Sequence, residues 1–471
     1  MKWADIRDFA EEEMFPGGVA AGDTIGNDGL PDIAVGTSSY DLWQNNWIDH
    51  NQPGKITVLE NTGYWAGDTT GLTIFQQLFL PTTAMVSDIA FADVDNDGDL
   101  DLVAVAARTT ELGGAEEPGL YVFERRINPE LNQNDFKDEF AYYGFGTYAM
   151  HGLRGMAVAD FNNDGYVDVA AAVDGFDYFE DNPNQILGGD KVYLYQNKGG
   201  TQAGLFELKP PYEFNFYDSN NNLLDFNTHE IVAADFHRLT LGQPRLDLVT
   251  ANMQDGFSIS HMRNTGNNAS GIPIFQSTRV VPCSDPPILN IHDLAVARFR
   301  SGSSHEDVAA FLPGLALVLR GNSRGEFAYD CDTNPNDPFS SPSAYFLEAA
   351  GCSPCGASTA TLKTGGIATG HLNGGTKPDI AASACGEYVA ILLGKGDGTM
   401  QFDCTQNVYY PTVSPAPTNI FAHTVVRLLI VDMNQDGFGD IVTVNNTSSG
   451  PMGQRPYVSV LLNQLNVGGG Q

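Results

Sequence analysis

Nine residues, Asp93-Val-Asp95-Asn-Asp97-Gly-Asp99-Leu-Asp101, lead directly into the apolar run Leu102-Val-Ala-Val-Ala-Ala107. The same spacing recurs in Asp160-Phe-Asn162-Asn-Asp164-Gly-Tyr166-Val-Asp168 and in Asp432-Met-Asn434-Gln-Asp436-Gly-Phe438-Gly-Asp440, and each copy again precedes a β-like run. Oxygen-bearing side chains at positions 1, 3, 5 and 9, with a glycine at position 6, are typical of a calcium loop, and position 7 can add a backbone carbonyl. The sequence therefore predicts three calcium sites.

A fourth copy, near the start of the chain, carries one extra residue. Asp23, Asp28 and Asp32 keep positions 1, 5 and 9, so Asn27 or a backbone group is expected to cover position 3. Together the four loops predict about four bound Ca²⁺ ions. Three further copies, beginning at residues 235, 298 and 370, have lost the pattern and are expected to bind no calcium. Arg298, at position 1 of one of them, is a candidate to replace the charge of the metal.

The loops belong to a sevenfold repeat. Their first positions fall at residues 23, 93, 160, 235, 298, 370 and 432, with a mean step of about 68 residues. In each copy an apolar-alternating stretch enters the loop, a β-like run leaves it, and a third run follows, such as Leu120-Tyr-Val-Phe-Glu124. Runs rich in β-branched and aromatic residues indicate strands. A repeat of this length fits one four-stranded sheet per copy.

The seventh copy ends after its third strand, near Leu462, and residues 4–15 precede the opening strand of the first copy. Because an unpaired strand edge invites aggregation, the N-terminal segment is expected to supply the missing strand. The sequence thus predicts an all-β fold: one seven-bladed β-propeller of four-stranded blades, its ring closed by the N-terminal strand. An open solenoid is the alternative, and the split seventh copy argues against it.

We expect a single domain over residues 1–471. The predicted segments are 4–15 for the closing strand of blade 7, 16–80 for blade 1, 81–141 for blade 2, 142–210 for blade 3, 211–282 for blade 4, 283–330 for blade 5, 360–404 for blade 6 after a long cysteine-bearing loop, and 420–465 for blade 7.

The Asp-x-Asp-x-Asp-Gly-x-x-Asp loop before an apolar strand, with Leu393-Gly-Lys-Gly-Asp-Gly-Thr-Met400 downstream, resembles the FG-GAP/VCBS repeats of bacterial surface proteins and of the integrin α-subunit head. The resemblance covers roughly residues 16–465. It implies the propeller fold. It leaves function open, because such repeats occur in adhesins, lectin-like modules, lyases and components of larger assemblies.

Composition narrows the choice of partners and compartment. The formal charge is −34 and the pI is near 4.3, which argues against a nucleic-acid partner. The sequence holds no 18-residue apolar stretch, so no transmembrane segment is expected. Extracellular calcium modules bind with Kd values of roughly 10⁻⁴–10⁻³ M. We therefore expect an extracellular or cell-surface protein, whose leader is absent from this chain.

Six cysteines lie between residues 283 and 404, in connections that a propeller would display on the face opposite the calcium loops. An even number clustered on one rim predicts up to three disulfides. The alternative for Cys352-Ser-Pro-Cys355 is a redox or zinc pair. The disulfide candidates are Cys283, Cys331, Cys352, Cys355, Cys385 and Cys404.

Aromatic residues crowd two predicted loops on that opposite, upper face. Binding residues are often carried on such loops, and tyrosine and tryptophan are frequent interface hot spots. Packing of the rings on one another is the alternative. The partner-binding candidates are Tyr40, Trp43 and Trp47 in blade 1, and Tyr142, Tyr143 and Tyr148 in the connection into blade 3.

The sequence contains no nucleophile elbow, HExxH helix, phosphate-binding glycine loop or catalytic triad order. We therefore predict a calcium-stabilised extracellular binding or assembly module, non-enzymatic, that engages a protein or glycan through its upper-face loops. One alternative is a carbohydrate-active enzyme similar to propeller polysaccharide lyases. Another is a structural subunit of a surface coat or filament, assembling with itself or with another chain.

Overall fold

A computed structural model describes residues 2–8, 15–38, 40–41, 46–47, 54–65, 71–80, 84–108, 119–128, 133–144, 152–174, 191–213, 227–236, 245–253, 258–280, 291–312, 314–322, 327–328, 343–347, 365–384, 388–401, 409–411, 423–447 and 457–463. Within these residues the chain is all-β apart from one 3-10 turn, Gly200–Gln202. Its main strands form seven sheets, which confirms the predicted seven-bladed β-propeller.

The first four blades follow an N-terminal strand, β1 (Lys2–Asp8). Each is an antiparallel sheet of strands consecutive in the chain, with small hairpins added in blades 1 and 2. Blade 1 contains β2 (Phe15–Gly22), β3 (Asp32–Ser38), the hairpin β4 (Tyr40–Asp41) and β5 (Asn46–Trp47), β6 (Lys55–Asn61) and β7 (Leu72–Phe79). Blade 2 contains β8 (Ala84–Ala92), β9 (Asp101–Arg108), β10 (Gly119–Phe123), the hairpin β11 (Arg125–Asn128) and β12 (Gln133–Phe136), and β13 (Ala141–Gly144). Blade 3 contains β14 (Gly152–Ala159), β15 (Asp168–Asp174), β16 (Lys191–Asn197), β17 (Phe206–Leu208) and β18 (Tyr212–Glu213). Blade 4 contains β19 (Asn227–Ala234), β20 (Asp247–Met253), β21 (Ser258–Asn267) and β22 (Pro273–Val280).

The remaining blades follow the same order. Blade 5 contains β23 (Asp293–Ala297), β24 (Asp307–Leu312), β25 (Leu315–Gly321), β26 (Phe327–Ala328) and β27 (Ala344–Phe346). Blade 6 contains β28 (Ile367–Gly370), β29 (Asp379–Ala384), β30 (Tyr388–Gly394), β31 (Met400–Gln401) and β32 (Tyr409–Pro411). Blade 7 contains β33 (His423–Val431), β34 (Asp440–Thr447) and β35 (Tyr457–Leu462), and β1 is its fourth strand.

The first strand of every blade lies at the centre of the molecule. Each of these inner strands contacts the inner strands of the two neighbouring blades, and the strand of blade 7 contacts that of blade 1, so the ring is closed. Seven separate apolar clusters fill the spaces between adjacent blades, one for each pair. A propeller blade is therefore buried on both faces, which explains why its second strand is an unbroken apolar run such as Leu102–Ala107.

Strand β1 closes the ring as the sequence predicts. It pairs antiparallel with β35, from Lys2 opposite Leu462 to Asp8 opposite Tyr457. The paired segment is residues 2–8, whereas the expected one was 4–15. Residues 9–14 lie outside the described part of the chain.

The outer strands differ from the expected blade boundaries. Strand β13 pairs with β10, so the sheet of blade 2 continues to Gly144. In blades 3, 5 and 6 the outer strand consists of two short pieces, both paired with the third strand of the same blade. Each piece is only two or three residues long, too short to carry a strand pattern of its own.

Candidate functional site

The three predicted calcium loops share one backbone geometry. In blade 3 the carboxylate of Asp160, at position 1, accepts hydrogen bonds from the N–H groups of Asp164 and Gly165, at 3.1 and 2.8 Å. The same pair of bonds recurs in the loops of blades 2 and 7. Position 4 has a left-handed backbone in all three loops, which asparagine and glutamine tolerate at a tight turn. These bonds fold each loop back on its first carboxylate.

The loop of blade 2 brings three carboxylates close together. Oxygens of Asp93, Asp95 and Asp101 all lie within 4.8 Å of one another. Two oxygens on opposite sides of one calcium ion are about 5 Å apart, given metal–oxygen distances of about 2.3–2.6 Å. Burial, and then the charges of Asp97 and Asp93, raise the pKa of Asp95. Clustered carboxylates that repel one another fit a site for a hard divalent cation.

The loops of blades 3 and 7 use asparagine at position 3. The Asn162 side chain accepts from the N–H of Asp164 at 2.9 Å and donates to its carboxylate at 2.8 Å. Asn434 and Asp436 repeat this arrangement at 3.1 and 3.2 Å. The N–H groups of Tyr166 and Phe438, at position 7, donate to the position-5 aspartate. The backbone carbonyls of Tyr166, Phe438 and, in blade 2, Asp99 remain the predicted ligands at position 7.

The first loop departs from the expectation for Asn27. Asn27 has φ 50°, like Asn96, Asn163 and Gln435, and so occupies position 4. Its amide oxygen accepts a hydrogen bond from Nη2 of Arg125 in blade 2 at 2.9 Å. Gly26 stands at position 3 and offers no side-chain oxygen. Asp23 still accepts from the N–H of Gly29, at 2.8 Å, and Asp28 from that of Leu30, at 2.9 Å.

The aspartate at position 9 has a structural role in every blade. The seven residues are Asp32, Asp101, Asp168, Asp247, Asp307, Asp379 and Asp440, each at most 2% exposed. Each accepts a hydrogen bond of 2.7–2.9 Å from a backbone N–H at the end of the third strand of its own blade. Six of them also accept a loop N–H seven or eight residues earlier. We call this pair of bonds the aspartate staple. It joins loop and third strand in blades with the calcium pattern and in blades without it.

Burial disfavours the ionised form of the staple aspartates in the four predicted calcium blades. Burial raises the pKa of Asp101, Asp168 and Asp440 to about 7 and that of Asp32 to about 6, although backbone N–H groups oppose the shift. In blades 2, 3 and 7 the neighbouring loop aspartates raise it further. A bound cation would remove this disadvantage by favouring the ionised carboxylates.

Replacing Asp379 in blade 6, which has no predicted calcium, tests the staple alone. Asp379→Ala leaves the N–H groups of Leu372 and Gly394 without their acceptor. At ~1–3 kcal/mol for each unsatisfied group, we expect a loss of about 2–5 kcal/mol in unfolding free energy. Asp379→Asn keeps one acceptor oxygen and should lose less. For each variant, urea unfolding should give the same loss relative to wild type in calcium and in chelator. A loss seen only with calcium present would contradict the staple.

Two blades without calcium motifs hold their staple aspartate with a basic residue. In blade 5, Nη2 of Arg300 lies 2.6 Å from Asp307. Arg298, the residue expected to replace the metal there, instead pairs with Glu306 at 2.7 Å and is half-exposed. In blade 4, Nε2 of the buried His261 lies 3.1 Å from Asp247. In both blades a protein side chain contacts the carboxylate that the sequence assigns to the metal in the predicted calcium loops.

The structure divides the six aromatic partner candidates. Tyr142 and Tyr143 lie in β13, not in a loop, because the sheet of blade 2 extends to them. The Tyr142 ring packs on Tyr121 with centroids 5.1 Å apart, and the Tyr143 ring packs edge-on against Phe206 in blade 3 at 5.5 Å. Tyr142 and Tyr143 therefore fit the alternative interpretation, in which the aromatic rings pack on one another. Tyr40 and Trp47 are opposite each other in the β4–β5 hairpin. Trp43 and Tyr148 lie outside the described residues, as do all six cysteines.

A cluster of charged side chains, absent from the sequence-based expectations, lies on the axis of the ring. We define the axial cluster as Asp88, Arg154, Glu230, Asp293 and Arg427, from the inner strands of blades 2, 3, 4, 5 and 7. Nη2 of Arg427 lies 3.1 Å from Glu230, and its Nη1 lies 3.9 Å from Asp293. Asp88 accepts from the N–H of Met156 in blade 3 at 3.0 Å, and Asp293 from that of Ile367 in blade 6 at 2.9 Å. The cluster thus links blade 7 to blades 4 and 5, blade 2 to blade 3, and blade 5 to blade 6.

Burial dominates the electrostatics of the axial cluster. It raises the pKa of Asp88 to about 6 and raises the pKa values of Glu230 and Asp293, while the charge of Arg427 lowers all three. Glu230 and Asp293 are 7% and 8% exposed. The positive charge of Arg427 therefore offsets part of the cost of burying these three carboxylates.

The sequence does contain a signal for this cluster. Counting back five residues from the first loop position gives one residue per repeat: Gly18, Asp88, Gly155, Glu230, Asp293, Gly365 and Arg427. A charge at a fixed position of an otherwise apolar inner strand indicates a shared polar environment. In five inner strands a β-bulge falls at this point, and a bulge re-aims side chains.

Comparison with known proteins adds one similar structure. No family model matches the chain, and no curated protein matches its sequence. One similar solved structure is titled "Structure of Dos1 propeller"; it is 9% identical, with a TM-score of 0.43, over 97% of this chain and 95% of that one. The class of fold, a seven-bladed β-propeller, rests on the strand pairing given above. Among the described residues, no helix has the length and apolar character needed to span a bilayer.

Proposed function

We propose that this propeller is a calcium-stabilised, non-enzymatic binding or assembly module that works outside the cell. The observation that carries the proposal is the blade 2 loop, where three aspartates bring oxygens within 4.8 Å of one another. Loops of blades 3 and 7 repeat its hydrogen bonds, and blade 1 repeats part of them. Ca²⁺ in these loops neutralises carboxylates next to the staple, so its role is to stabilise the fold. Weak calcium loops fit a compartment rich in calcium.

The partner, a protein or a glycan, is proposed to bind the upper face, opposite the calcium loops. Tyr142 and Tyr143 serve packing, so the proposed contacts pass to Tyr40, Trp43, Trp47 and Tyr148. The β4–β5 hairpin supports this choice, because it is an insertion in the 2–3 connection of blade 1. An insertion on a rigid scaffold is a common carrier of binding residues.

Calcium dependence of stability is the first test. A site that binds only the folded state adds about 2 kcal/mol when free calcium is ~20-fold above Kd. We expect the melting temperature to fall in excess chelator. Asp95→Ala in blade 2 should reduce the calcium-dependent part of that shift. Asn373→Ala, at the matching position in the blade 6 loop, should leave it unchanged. Equal melting curves with calcium and with chelator would contradict the calcium role.

Hydroxyl-radical footprinting of the protein in its native assembly tests the proposed face. We expect protection of Trp43 and Trp47 relative to the isolated protein. Protection confined to the calcium loops, with both tryptophans equally oxidised in the two samples, would overturn the choice of face. Tyr64, 72% exposed in the β6–β7 turn on the calcium face, is an internal reference that should not change.

A further inference from the structure

The turn between β21 and β22 presents a possible acceptor for a sugar. Asn268-Ala269-Ser270 has the N-x-S pattern in which an asparagine side chain can be glycosylated, and such acceptors lie on surface loops. Asn268, Ala269 and Ser270 are all exposed in this turn. We propose that Asn268 is an N-glycosylation site. The inference rests on the proposed function, because it requires export of the chain.

The hydrogen bonds of the turn leave the reactive nitrogen available. Oδ1 of Asn268 accepts from the N–H of Ser270 at 2.8 Å and from the N–H of Ile272 at 3.1 Å. These bonds hold the amide so that its oxygen faces the turn. Among the described residues none accepts a hydrogen bond from Nδ2. A Cβ added at Gly271 would meet nothing within 4 Å, so the turn also has open space beside it.

The pattern occurs twice more, beginning at Asn445 and at Asn446. The side chain of Asn446 lies outside the described part of the chain, and Asn445 shows the opposite situation from Asn268. Asn445-Asn446-Thr447 also fits N-x-T, but Asn445 is fully buried. Its Nδ2 donates to the hydroxyls of Thr443 and Ser459, at 2.9 and 3.2 Å. A glycan on that nitrogen has no room in the folded blade. Burial and hydrogen bonding thus distinguish Asn268 from Asn445, although both begin the pattern.

The chemistry is a glycosyl transfer from a lipid-linked oligosaccharide, the class of donor used for exported proteins. Nδ2 of Asn268 attacks the anomeric carbon, and a carbon–nitrogen bond forms there. The bond between that carbon and the phosphate oxygen of the lipid carrier breaks. One amide proton is released, and the lipid phosphate leaves with the electron pair. No oxidant or reductant is needed.

The position of the turn gives the glycan a definite neighbourhood. Nε2 of Gln196, in blade 3, donates to the carbonyl of Gly271 at 3.1 Å. The side chain of Asn267 donates to the carbonyl of Asn162, in the calcium loop of blade 3, at 2.6 Å. A glycan on Asn268 would therefore stand on the calcium face, over the junction of blades 3 and 4. It would hinder a partner on that face and leave the upper face open.

Mass spectrometry of the natural protein tests the inference. Trypsin should release residues 264–279, which contain one N-x-S pattern and end at Arg279. We expect this peptide to carry a glycan mass, assigned to Asn268 by electron-transfer fragmentation. Ser270→Ala, expressed in the natural host, should abolish the added mass, and Ser270→Thr should retain it. Thermal unfolding of both variants checks that they fold.

The outcomes separate the inference from the proposed function. Protein recovered outside the cell with unmodified Asn268 would overturn the glycosylation site and leave the extracellular module standing. Protein confined to the cytosol would overturn the proposed location, and the glycosylation site with it. Modification of Asn264 or Asn267 in place of Asn268 would also overturn the assignment, because neither begins the pattern.

Discussion

Arg427→Met is expected to lower the free energy of unfolding by ~3–5 kcal/mol, because removing one partner of a buried ion pair leaves uncompensated charge. Arg427 lies 3.1 Å from Glu230 and 3.9 Å from Asp293, and its charge also reaches Asp88. Methionine keeps most of the side-chain volume, so the loss should come from charge and not from a cavity. Chemical denaturation at pH 7.5 measures it.

The loss should shrink on acidification, and the sign follows from the pKa values. Burial already raises the pKa values of Glu230, Asp293 and Asp88, and losing Arg427 raises them further, since its charge lowers them in the intact protein. A carboxyl whose pKa is higher in the folded state binds its proton more tightly there. The folded variant is therefore stabilised as the pH falls through the raised pKa values, and full relief comes only below the unfolded pKa near 4. We expect a smaller difference from wild type at pH 5 than at pH 7.5.

Arg298→Met is the matched control. It removes an arginine that pairs with Glu306 at the surface, where the arginine side chain is 49% exposed. An exposed pair contributes at most about 1 kcal/mol. If Arg427→Met costs no more than this control, or costs the same at both pH values, the charge of Arg427 does not offset the buried carboxylates of the axial cluster.

Deleting residues 1–8 is expected to have the second large effect. Blade 7 would lose its fourth strand and β35 would present a free edge, from Tyr457 to Leu462. Free edges pair with other chains. We expect the truncated protein to aggregate or to form oligomers by strand exchange, in place of behaving as the full-length chain does. Size-exclusion chromatography with light scattering measures the change.

A peptide of residues 1–15 provides the specific control. Added in excess, it should restore the behaviour of the full-length protein by occupying the edge of β35. A peptide of the same composition in scrambled order should not. A truncated protein with the size and melting temperature of the full-length chain would contradict closure by β1.

Local sequence patterns predicted the fold, which the strand pairing confirms, and the calcium loops, which stay a prediction. A loop such as Asp93 to Asp101 holds its ligand candidates within nine residues, so spacing alone reveals it. The closing strand follows from counting strands, since the seventh repeat has three. Both expectations depend on residues that are neighbours in the chain or on a repeat that sequence displays directly.

Contacts between residues distant in the chain could not be predicted, although the repeat places Glu230 and Arg427 at equivalent positions of their strands. Glu230 and Arg427 are about 200 residues apart in the chain, and only ring closure brings their side chains together. Arg125 reaches the loop of blade 1 through Asn27, which could not be read from either segment alone. Tyr142 and Tyr143 looked like loop residues because the outer strand of blade 2 is only four residues long. The contact of Arg300, and not of Arg298, with Asp307 depends on which side chain the loop turns inward.

The aspartate staple makes each blade tolerant of change at its rim. Because the same carboxylate accepts a hydrogen bond from the end of the third strand in all seven repeats, the loop before it can vary in sequence without loss of that bond. Blades 4 and 5, where His261 and Arg300 contact this carboxylate, carry loops that lack the calcium pattern. The ring can therefore be treated as a set of interchangeable modules. Under the proposed function, a designer could remove or install calcium dependence one blade at a time.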